Sequence, residues 1–154
     1  MTDFLNKIVS IVLIFVLLVL APLLISYKTD EMLAKRLILN EVNTFIDKVT
    51  DAGALYQEDI DEIYIMCNSH GLIVDVSVER LVYATTLVQD TGEYVYDYVV
   101  DKDFSKAGGT LLNPNDLIKV TVKEQTYSSV RRLTYNLLKV DEGLFEFSLC
   151  GIVG

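Results

Sequence analysis

Few residues in this chain carry the means for chemistry. The one histidine, His70, stands just before Gly71 where a helix would end. It reads as a capping or solvated residue rather than a general base. The two cysteines, Cys67 and Cys150, lie far apart and fit neither a zinc spacing nor a C-x-x-C redox pair. A disulfide between them in an extracytoplasmic domain and two buried free thiols remain open alternatives. Asp101-x-Asp103-x-Ser105 begins like a calcium loop but puts Lys106 where glycine is needed and Leu112 where the closing glutamate belongs. The acidic run Glu58-Asp59-Ile60-Asp61-Glu62 is better explained by the positive end of a helix dipole. No nucleophile elbow, phosphate-binding loop, H-E-x-x-H helix or dinucleotide fingerprint occurs. The chain is therefore read as not an enzyme, with no cofactor and no metal.

Tyr94, Tyr96 and Tyr98 fall on one parity of a strand pattern. Tyrosines so placed serve either as a recognition stripe or as cross-strand packing, and packing is the favoured reading.

The elements that would position these residues begin with a long helix from Phe4 to Ala52, on the order of 70 Å at roughly 1.5 Å per residue. Its first half, Ile8 to Ile25, carries no charge and is about as long as the shortest membrane-crossing helices. Ile8, Ile11, Val12, Phe15, Leu18 and Val19 supply its surface for lipid or for other subunits. Pro22 cannot donate to the carbonyl of Leu18, so the helix should kink or loosen there. The second half, Thr29 to Ala52, is amphipathic, and Leu33, Leu37, Ile38, Val42, Phe45, Ile46 and Val49 are expected to pack on a sheet. Gly53 is its expected C-terminal cap. Retention as an anchor is favoured over cleavage, because the apolar core exceeds the usual 7–15 residues of a signal peptide and no A-x-A-like site follows. Of the flanking cations, Lys7 precedes the span and Lys28, Lys35 and Arg36 follow it. That count weakly puts the C-terminal side in the cytoplasm, although a folded domain after a single span can translocate regardless.

The remainder is the size of one domain. A short helix is predicted over Gln57–Ser69, with Ile60, Ile63, Tyr64 and Cys67 as its inner face. Period-two alternation then takes over. It predicts one long bent strand, or two joined closely, from Leu72 to Val88, where the period is interrupted at Arg80, and a hairpin through Asp90-Thr91-Gly92 to Tyr94–Val100. Further strands follow at Leu117–Glu124 and Leu144–Cys150, with a turn at Asn113–Asp116 and a helix over Tyr127–Val140. The expected fold is α+β: a long N-terminal helix, residues 1–28 its transmembrane part and 29–52 its amphipathic part, on an antiparallel sheet of four or five strands with two short helices. Residues 29–154 form the globular domain. Of 154 residues 22 are acidic, and the net charge is −9. That balance excludes nucleic acid as a partner, since phosphate binding needs clustered cations.

Several stretches carry a family resemblance. They are the polar tip Met1 to Lys7, the apolar half-helix with Pro22, the amphipathic half ending at Gly53, and the β-rich remainder. In these the chain resembles type IV pilin-like proteins, including the minor pilins of tight-adherence (Tad) pili. Val42-Asn43-Thr44-Phe45-Ile46-Asp47-Lys48-Val49, Asn115-Asp116-Leu117-Ile118-Lys119-Val120-Thr121-Val122 and the closing Gly151-Ile152-Val153-Gly154 are similar to Gram-positive members of that group. The pattern departs at Leu5, where such pilins carry Glu, with Asp3 the nearest acid. The resemblance implies a structural subunit whose apolar helix waits in the bilayer and then packs against other pilin-like subunits in a filament. Its domain would lie outside the cytoplasm, at the cell surface once assembled. The competing expectation is a single-span anchor holding an adaptor or sensor domain in a membrane secretion or conjugation complex.

Overall fold

The computed structural model describes residues 2–87, 94–101, 110–128, 131–132, 135–136, 139 and 143–154. From Asp3 to Ala52 the chain is one helical rod of 50 residues, about 75 Å long at 1.5 Å per residue. It comprises α1 (Thr2–Phe15), a π-helical turn (Val16–Leu20) and α2 (Ala21–Ala52). The loosening expected at Pro22 takes the form of that π turn. Proline offers no N–H and its ring crowds the carbonyl of Leu18, so the ladder widens just before it. The Ala21 N–H reaches back to the carbonyl of Val16, five residues away. Gly53 ends the rod in the left-handed region, at φ 60°, and its N–H caps the carbonyl of Val49.

Two short strands, β1 (Ala54–Leu55) and β4 (Thr110–Leu111), pair beyond the cap. Between them come α3 (Gln57–Ser69), β2 (Val74–Leu87) and β3 (Tyr94–Val100); β5 (Leu117–Glu124) and β6 (Glu146–Ile152) follow. The main sheet is fully antiparallel, ordered β3-β2-β5-β6. Strand β2 is long because it serves two partners: Val74–Leu81 pair with β5, and Leu81–Leu87 pair with β3. The fold is α+β, as expected. The last strand runs on through Ile152 rather than stopping at Cys150. The turn at Asp90–Gly92 lies outside the described residues. So does most of the helix expected over Tyr127–Val140, although Arg131-Arg132 and Tyr135-Asn136 within it are helical.

The core forms where α2 lies on the inner sheet face. Ile38, Val42, Phe45, Ile46 and Val49 are buried against Val74, Ile118, Val120 and Val122, with Phe147 and Leu149 partly covered. Leu33 and Leu37 do not belong to this surface; both are exposed, and Ala34 is buried instead. The reason is angular. At 3.6 residues per turn each lies about 100° around the helix from Ala34 and Ile38, on a second apolar ridge that faces away from the sheet. On α3, Ile63 and Cys67 are buried as expected, whereas Tyr64 is turned outward. Gly151 sets how closely rod and sheet can approach, since a Cβ there would stand 2.2 Å from Ile46 Cγ2 and 3.0 Å from Thr50 Cγ2.

Candidate functional site

The rod divides into a bare half and a packed half. No residue of the 18-residue window with the highest mean hydropathy, 3.3, is buried inside the molecule. Ile8, Ile11, Val12, Phe15, Leu18, Val19 and Pro22 are all exposed, with apolar side chains around the whole circumference. An isolated helix apolar on every side is not stable against water and needs lipid or other apolar helices around it. By length and composition this one can cross a membrane.

An ionic clamp marks where the rod enters the domain. Arg131 lies between two carboxylates: its Nη1 donates to Glu124 Oε2 at 2.9 Å, and its Nη2 pairs with Glu31. Glu124 is wholly buried and also accepts from the N–H of Phe145 at 3.0 Å. Lys35 Nζ pairs with Glu31 at 2.9 Å and lies 5.4 Å above the Phe145 ring. Burial alone would push the Glu31 carboxyl up, but the hydrogen bonds from Arg131 and Lys35 outweigh it and hold the group below its ordinary value. The clamp thus joins α2, the end of β5 and the segment after it. A second ionic contact closes the opposite end of the core. Arg80, buried on the inner face of β2, donates from Nε to Asp116 Oδ2 at 2.9 Å, and that oxygen also accepts the N–H of Asn113 at 2.8 Å.

The cysteines are free and on opposite sides: Cys67 is in the core, while Cys150 is on the outer face of β6. A disulfide between them is therefore ruled out in this fold, because Leu149 turns inward and its neighbour must turn outward. Cys67, His70 and Glu41 lie near one another, a combination that elsewhere makes a nucleophile. Here burial, then the charge of Glu41, pushes the Cys67 thiol up to about 11, so it stays protonated at neutral pH. His70 Nε2 lies 3.8 Å from Glu41 Oε1, beyond hydrogen-bonding distance. The acids of α3 do more than face the helix dipole. Asp59 accepts the N–H of Tyr56, and Lys48 of α2 reaches Asp59 at 2.9 Å and Glu62 at 3.1 Å. Beside this contact a shallow groove of about 210 Å³ opens between α2 and α3, smaller than the usual small-molecule site. Among the described residues no three His, Cys, Asp or Glu groups gather as metal ligands. Asp103 and Ser105 of the calcium-like stretch lie outside those residues.

The tyrosines pack across the strands, the reading favoured from the sequence. Tyr83 stacks on Tyr96 with ring centroids 5.8 Å apart and meets Tyr98 edge-on at 5.4 Å. Yet Tyr94 and Tyr96 remain more than half exposed, and β3 buries neither face. In register with this ladder, Ile152, Leu117, Leu81 and Val100 stand side by side across all four strands. Burial alternates along β5, placing this row on the outer face. Toward the Glu124 end of β5 the same face is polar, with Lys119–Glu79 and Lys123–Glu146 pairs and a Thr121–Ser148 bond.

The pairs Arg80–Asp116 and Glu31–Arg131 were not foreseen. Only the parity of Arg80, which continues Val74, Val76 and Val78, hinted that it faces inward. Comparison with protein-family models, curated proteins and solved structures finds no match to this chain.

Proposed function

We propose that this chain is a membrane-anchored, pilin-like structural subunit that assembles through its apolar N-terminal helix into a filament or a pilus-type secretion machine. One observation carries the reading: no residue of the rod's most apolar 18-residue window is buried inside the molecule, while the other half is fastened to the domain. Before assembly the bare half lies in the bilayer, with the domain outside the cytoplasm. In the filament the same side chains pack against those of neighbouring pilin-like subunits. Burying each large apolar side chain is worth roughly 1.5–3 kcal/mol relative to water, so a surface this long holds subunits together without covalent links. Passage out of lipid costs little when an equally apolar surface receives the helix. The π turn before Pro22 lets the rod bend during that transfer. No catalytic step, cofactor or nucleic acid is involved.

Electron microscopy of native assemblies tests this, with Phe15→Asp as the variant. Filaments that disappear in the variant support the reading; wild-type chains found only as monomers in the membrane overturn it. The exposed tyrosine hairpin favours one competing reading, a single-span adaptor or sensor domain that binds through its far end. Under that reading an unrelated span restores function, whereas under ours it does not.

A further inference from the structure

We propose that the outer edge of β3 is a docking site for an extended, cationic segment of a partner protein, which adds to the sheet as a fifth strand. This holds whether or not the chain forms filaments. Strand β3 is a terminal strand of the sheet, seven residues long, and among the described residues nothing pairs with its outer side. Exposed edges in natural proteins are protected by proline, by a bulge or by a charged side chain, above all lysine, which turns away any strand lacking the opposite charge. The sequence Tyr94-Val95-Tyr96-Asp97-Tyr98-Val99-Val100 contains neither lysine nor proline, and its pairing with β2 runs unbroken. The Asp101 N–H donates to the Arg80 carbonyl. By alternation along an antiparallel strand, the N–H groups of Tyr94, Tyr96, Tyr98 and Val100 therefore point away from β2.

Asp97 selects the occupant. It is the central residue of the strand, and its Oδ1 accepts the outward N–H of Tyr98 at 2.8 Å. An incoming strand must take over that hydrogen bond. A neutral or acidic strand would leave the carboxylate uncompensated, whereas a Lys or Arg opposite Asp97 pairs with it. From Leu81 to Asp101 the sequence has four acids and no base, so the surrounding field has the same sign. Tyr94 and Tyr96 offer exposed rings on the other face, with Tyr98 half-buried beside them, suited to apolar side chains and to cation–π contact. A second copy of β3 is a poor occupant, because symmetric antiparallel pairing sets Asp97 against Asp97.

The test uses the full chain in nanodiscs of zwitterionic lipid. The probes are capped peptides of alternating valine and threonine with one central residue varied. The chain has nine tyrosines and no tryptophan, so tyrosine emission reports binding of such peptides, and hydrogen exchange locates it. The peptide with a central arginine should bind saturably and protect the amides of Tyr96 and Tyr98. Replacing that arginine by glutamate, or adding a proline beside it, should weaken binding about tenfold or more. Asp97→Lys should reverse the preference, and Asp97→Asn should reduce it. Equal binding of the arginine and proline peptides, unchanged preference in Asp97→Lys, or no saturable binding would each overturn the proposal. So would protection of these amides by self-association of the chain alone.

Discussion

Gly151 shows how a single missing atom sets the distance between rod and sheet. Gly151→Ala places a methyl group against Ile46 and Thr50 and should destabilise the domain by about 1–3 kcal/mol, the usual cost of overpacking. Combining it with Ile46→Ala should recover part of that loss in a double-mutant thermal-melting cycle. The buried pair Arg80–Asp116 predicts a different pattern. Arg80→Ala leaves Asp116 buried and unpaired, which should cost about 3–5 kcal/mol in chemical denaturation. Replacing both residues by apolar ones of similar volume should cost much less, because desolvation of the two charges is then avoided as well.

At the level of elements, the clamp makes the domain's hold on the rod dependent on pH. The Glu31 pKa is lowered in the fold, so the clamp's contribution is complete above the unfolded carboxyl value, about pH 4.3. It is lost as pH falls through the lower folded value. Melting followed from pH 6 down to pH 2 should show this loss, and Glu31→Gln should flatten that part of the profile. The elements themselves were largely legible in the sequence, because helical and strand periods are local signals. The bounds of α3, β3 and β5 matched the expected ones. On α2 the errors arose because two apolar ridges share one helix: Leu33 and Leu37 follow helical spacing as well as Ala34 and Ile38 do, and only the position of the sheet separates them. The ionic pairs were illegible for another reason. Arg80 and Asp116 are 36 positions apart, and Glu31 and Arg131 are 100 apart. No local pattern in a single sequence joins such partners.

For the whole molecule, everything depends on one half of a rod being satisfied within the chain while the other half is left for lipid or neighbours. Site-directed disulfide crosslinking in native membranes tests this most directly. In a Cys150→Ser background, Ile11→Cys and Phe15→Cys place thiols on the bare half, and Lys48→Cys places one on the packed half. Mild oxidation should join each of the first two variants into covalent dimers, extend the Ile11→Cys/Phe15→Cys double variant into a ladder of multimers, and leave the Lys48→Cys chain monomeric. Monomers from all three variants, or multimers from Lys48→Cys alone, would contradict the assignment of the bare half as the surface between subunits.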